Sequence, residues 1–78
     1  MHYPDKAKAA AQTYFSSFAR LFGETPNFPS GEERTSALHC IERIILENMN
    51  KYSGDPAMPR IVDMAVLDKM EELINTYK

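Results

Sequence analysis

SGEERTSALHCIERIILENMNKYSGDP, residues 30–56, holds the most clearly bounded helix of the chain. It opens as a capping box, because the Ser30 hydroxyl can accept from the N–H of Glu33 while the Glu33 carboxylate reaches back to the N–H of Ser30. Apolar residues then recur at helical spacing, and Ser53-Gly54-Asp55-Pro56 is a strong break. The sequence therefore predicts a helix over residues 31–52.

Two further helices flank this one. The first is predicted over residues 5–22, with Pro4 suited to the first helical turn and Gly23 suited to a left-handed C-cap. The third is predicted over residues 59–77, and Pro59 again suits its first turn.

Short linkers join the three helices. Two prolines make residues 24–29 a linker, because neither can continue a helix. Phe28 in this linker is expected to fold back on the core; an exposed Phe28 would instead be an anchor for a partner. We therefore expect an all-α fold, a small three-helix bundle that forms one domain over residues 1–78. A short extra turn at residues 25–29 or 55–59 is left open.

Both of the first two helices are amphipathic. At about 100° per residue, one face of the first helix gathers Ala7, Ala10, Ala11, Tyr14, Phe15, Phe18, Leu21 and Phe22. Asn48 interrupts the apolar stripe of the second helix, where it either reaches water or backbone or fixes the register of a dimer.

Size and cysteine content limit the fold. The core of so small a chain rarely supplies more than about 3–5 kcal/mol, so self-association or a partner often adds stability. Cys40 is the single cysteine, so the chain has no internal disulfide and no zinc site of two or more cysteines. Residues 1–6 lack the pattern of a leader peptide, and no apolar stretch approaches the roughly 20 residues that cross a bilayer. We expect a soluble, cytoplasmic protein without membrane association.

The charge pattern argues against nucleic acid as a partner. Nine basic and eleven acidic residues leave a net charge of −2, with no basic block. Neutralising phosphates requires Lys and Arg gathered on one face. The third helix, considered as a recognition helix, offers Arg60 and then a largely apolar run. Weak association with nucleic acid is kept only as an alternative function.

The residues suited to catalysis are few and dispersed. His39 and Cys40 are adjacent, so on a helix they point about 100° apart and cannot grip one ion together. The other histidine is His2. Asp68 and Glu72 share a helix face and are read either as a cation or acid–base pair or as a solvated surface. We expect no cofactor, no metal and no enzymatic activity.

Two surfaces are candidates for interaction. The first is a spot on the second helix with Leu46 at its apolar centre, surrounded by His39, Glu42, Arg43 and Asn50. The second is the start of the third helix, which is apolar around nearly its whole circumference and is therefore covered on more than one side. We read it as a central packing segment or as a self-association surface formed by Ile61, Met64 and Leu67.

These observations favour a small protein-binding module that masks or bridges a protein partner, as an inhibitor, an immunity factor or an adaptor does. Compact chains without cofactor motifs are common in phage and mobile elements, which suggests such an origin. The partner's identity is open. The alternatives are a homo-oligomeric structural protein, such as a homodimer, and the nucleic-acid-associated regulator.

Overall fold

The computed structural model describes residues 4–78, and over that range the chain is helical without strands. Its helices are α1 (Asp5–Phe15), α2 (Phe18–Phe22), α3 (Gly31–Lys51) and α4 (Met58–Thr76). The all-α class is confirmed. Residues 1–3 lie outside the described part of the chain. They include His2 and half of residues 1–6, the segment that is expected not to be a leader peptide.

The first predicted helix is two helices, because a turn at Ser16 and Ser17 interrupts it. The Ser17 hydroxyl donates to the carbonyl oxygen of Thr13 at 2.6 Å. The Ser17 N–H bonds the carbonyl of Tyr14, three residues back, at 2.9 Å. Serine side chains that bond the preceding turn bend a helix, and adjacent small polar residues are common sites of kinks.

One residue of the predicted apolar face does not pack against the core. Leu21, expected on the apolar face of one continuous helix, is 44% exposed. Phe18 is buried and Phe22 packs against the core. Phe18 and Phe22 thus lie where a continuous helix would place them, and the difference is confined to Leu21, which such a helix would place about 120° from Phe15, at the edge of the apolar face.

The linker between α2 and α3 is anchored by contacts with Phe15 of α1 and with Tyr77 at the end of α4. Phe28 stacks on Phe15 with ring centroids 5.8 Å apart and lies 4.9 Å from the ring of Tyr77. The Asn27 N–H also bonds the Tyr77 carbonyl at 2.7 Å. The prediction that Phe28 folds back on the core is therefore confirmed.

An extra turn is present in the second linker. The Met58 N–H bonds the Asp55 carbonyl at 3.0 Å, which closes a four-residue turn. The Asp55 carboxylate accepts from the Ala57 N–H at 2.8 Å. Of the two positions left open by the sequence, the turn thus falls at residues 55–58, directly before α4.

Helix α3 is the centre of the fold, because it packs against both α1 and α4. The molecule is flattened, with principal extents of 38 × 27 × 17 Å. The buried apolar side chains are Ala7, Ala11, Phe15, Phe18, Ala37, Ile41, Ile45, Val62, Val66, Met70, Leu73 and Ile74. Asn48, which interrupts the apolar stripe of α3, donates its amide to the carbonyl of Ile44 at 2.8 Å.

None of the helices within residues 4–78 is both long enough and apolar enough to cross a membrane.

Candidate functional site

The outward face of α3 brings together four of the five residues predicted to contact a partner. His39, Arg43 and Asn50 are exposed and Leu46 is half-buried. Because they are spaced three or four residues apart, they lie on one side of the helix, on successive turns. We call these four residues the α3 face.

Glu42, the fifth predicted residue, does not belong to this face. The sequence places it at the rim of the spot, whereas in the structure it is only 5% exposed. It follows Ile41, which is fully buried, by one residue. Because α3 packs against helices on two sides, a wider arc of its surface is covered than a single apolar stripe predicts. Glu42 falls inside that arc.

Arg43 provides the charge of the α3 face. Its Nε lies 3.7 Å from Oε1 of Glu47, and the two side chains are 57% and 68% exposed. Its Nη2 also approaches Sγ of Cys40 at 3.6 Å. An ion pair exposed to this degree contributes about 0–1 kcal/mol to stability. The guanidinium is therefore accessible to a partner. Exchanging its ion pair with Glu47 for a contact with that partner would cost little free energy.

The predicted self-association residues surround an exposed methionine. Met64 is 58% exposed, while Ile61 and Leu67 are half-buried. Each follows the previous one by three residues, so together they span about 120° of the α4 circumference with Met64 in the middle. Val62 and Val66 on the opposite side are buried. The segment is thus partly a packing segment and partly an exposed apolar surface.

The two carboxylates four residues apart on α4 lie on a solvated surface. Asp68 and Glu72 are both exposed. Glu72 accepts from the Lys69 ammonium at 3.0 Å. Among the described residues, no group of three or more His, Cys, Asp or Glu side chains is arranged to hold a metal ion.

A groove that the sequence did not predict opens where three helices meet. Its volume is about 290 Å³. Lys6 and Tyr14 of α1, Ile45 and Met49 of α3, and Met58 and Val62 of α4 line it. A site assembled from three separate helices leaves no local sequence motif. The one feature of the sequence that could have indicated the groove is the pair of methionines, Met49 and Met58, on either side of the α3–α4 linker.

No protein-family model, no curated protein and no solved structure matches this chain.

Proposed function

We propose that this chain is a small protein-binding module and that the α3 face is its contact surface. The observation that carries the proposal is the placement of half-buried Leu46 beside the exposed Arg43 guanidinium on one side of α3. Arginine is enriched among the residues that dominate binding energy in interfaces, and an apolar neighbour excludes water around it. The module would act by masking or bridging its partner, in the manner of an inhibitor, immunity factor or adaptor.

His39 and Asn50 complete the surface in this proposal. Both are exposed and both can donate and accept hydrogen bonds, so they suit the polar rim of an interface. Glu42 takes no part in direct contact, because its side chain is covered by the fold.

The test compares two charge reversals. Affinity-tagged wild-type, Arg43→Glu and Arg60→Glu proteins are incubated with nuclease-treated lysate of the source cells, and retained proteins are quantified by mass spectrometry. Arg60 is also exposed but lies on α4, so Arg60→Glu is the matched control. We expect one protein to be retained near stoichiometrically by the wild type and by Arg60→Glu, and to be lost with Arg43→Glu. Retention by all three proteins would contradict the assignment of the α3 face.

A second candidate function, homo-oligomerisation, is favoured by the exposure of Met64. Two large apolar side chains are exposed among the described residues, Met64 at 58% and Leu21 at 44%. In this candidate, Ile61, Met64 and Leu67 contact the same surface of a second copy. Sedimentation over a range of concentrations should show an oligomer that Met64→Glu dissociates and Leu21→Glu leaves intact. A monomer at all concentrations would exclude it.

A further inference from the structure

We propose that the groove between α1, α3 and α4 is a binding site for an aliphatic carboxylate, such as a medium-chain fatty acid. The chain of the ligand would lie against Met49, Met58 and Val62, and its carboxylate would meet the Lys6 ammonium. The proposal does not depend on the α3 face, which is a separate surface.

The walls of the groove suit an aliphatic chain. Ile45 and Val62 are buried and form its floor, while Met49 and Met58 are half-buried. Methionine side chains are unbranched and polarizable, so they adapt to a flexible apolar ligand. Ala10 also lines the groove and contributes only a methyl group. Protein interiors are otherwise packed with few voids, so a small residue at this position helps to leave the space open.

The one charged residue among the described residues that line the groove is a cation, Lys6, and the nearby Asp63 carboxylate is not part of the lining. The Lys6 side chain is exposed. The Tyr14 hydroxyl donates to the Asp63 carboxylate at 2.6 Å, so its proton is already engaged. A ligand with an apolar body and a single anionic head therefore matches both the walls and the rim.

The size of the groove limits the ligand. Pockets for drug-sized molecules usually enclose about 300–1,000 Å³. At about 290 Å³ this groove lies at the lower end of that range. This volume is enough for one extended aliphatic chain of medium length.

Isothermal titration of the full chain with octanoate, decanoate and dodecanoate, below their micelle concentrations, tests the proposal. We expect saturable binding of one ligand per chain, with the dissociation constant falling about fourfold for each methylene that becomes buried. Decanol, which has the same chain without the charge, should bind about twofold to fivefold more weakly than decanoate. Binding that does not saturate, or that is independent of chain length, would overturn the proposal.

Variants locate the ligand. Lys6→Glu should weaken decanoate binding by about twofold to fivefold, as expected for an exposed ion pair. Lys8→Glu is the matched control, since Lys8 does not line the groove, and should bind as the wild type does. Ala10→Phe should fill the groove and abolish binding, with circular dichroism to check that it folds. Equal weakening by the two lysine variants, or full binding by a folded Ala10→Phe, would place the ligand elsewhere.

Discussion

Tyr14 and Asp63, 49 residues apart in the chain, form a hydrogen bond of 2.6 Å that joins α1 to α4. The phenol donates and the carboxylate accepts. Asp63 is the only charged residue between Ile61 and Leu67, where the flanking side chains are apolar. A partly buried carboxylate is tolerated in such a place when it is hydrogen-bonded. The bond therefore explains both the position of Asp63 and part of how α1 is held against α4.

Removing the Tyr14 hydroxyl should destabilise the fold. Tyr14→Phe leaves the partly buried Asp63 carboxylate without its donor, which should lower the free energy of unfolding by about 1–2 kcal/mol. Urea denaturation followed by circular dichroism measures the change. Tyr52→Phe is the control, because Tyr52 contacts Lys51 through its ring, 5.4 Å from the ammonium, and the ring remains. Equal losses in the two variants would contradict the assigned role of the hydrogen bond.

The same hydrogen bond should make the stability depend on alkaline pH. Burial first, and then the bond to Asp63, raises the pKa of Tyr14 from the ordinary value of 10.0 to about 12. The folded state thus holds the phenolic proton more tightly than the unfolded state does. The resulting stabilisation is fully present below pH 10 and is lost as the pH rises towards 12.

Tyr77 contributes with the same sign. The nearby Glu33 carboxylate, and then burial, raises the pKa of the Tyr77 phenol. Urea midpoints measured on either side of pH 10 should fall with rising pH, and they should fall less in Tyr14→Phe than in the wild type. An unchanged pH dependence in Tyr14→Phe would show that Tyr14 does not supply it.

The N-cap of α3 should be worth a measurable amount of stability. The Ser30 hydroxyl accepts from the Glu33 N–H at 3.2 Å. Ser30→Ala should cost about 1 kcal/mol, and Ser30→Gly only a few tenths. Ser36→Ala, at an exposed position inside α3, should stay within about 0.5 kcal/mol of the wild type. A thermal-unfolding series of the three variants checks the order, and a loss from Ser36→Ala as large as that from Ser30→Ala would contradict it.

Burial of Glu42 predicts that an apolar replacement stabilises the protein. Covering a carboxylate to 5% exposure costs solvation free energy that methionine, of similar length, avoids. Glu42→Met should raise the free energy of unfolding by about 1 kcal/mol. Glu47→Met is the matched control on the same helix, where the side chain is 68% exposed, and should change stability by less than about 0.5 kcal/mol. A lower free energy of unfolding in Glu42→Met would contradict this prediction, because it would show that the carboxylate itself stabilises the fold.

Local signals located most of the secondary structure. The capping residue Ser30 and the break after Tyr52 bound α3 to within one residue, and the predicted third helix is one residue shorter at its start and one longer at its end than α4. The kink at Ser17 was missed. Its serine hydroxyl bonds the preceding turn, and nothing in the spacing of apolar residues reveals that choice.

Site residues that lie on one helix could be grouped from the sequence, whereas features formed by several helices could not. Residues of the α3 face share one helix, so their spacing alone groups His39, Arg43, Leu46 and Asn50. Glu42 was misplaced because its burial depends on how many helices cover α3. The groove at Lys6 and Met58 was missed because its walls come from three segments far apart in the chain.

The sequence by itself determined that the chain is helical, where α3 and α4 begin and end to within one residue, and most of the apolar side of each helix. These properties follow from caps, prolines and periodicity, which act over a few residues. Only the tertiary structure decided the break between α1 and α2, the pairing of Tyr14 with Asp63, the burial of Glu42 and the shape of the groove. Each of these depends on the distance and angle between packed elements, and no single segment encodes that geometry.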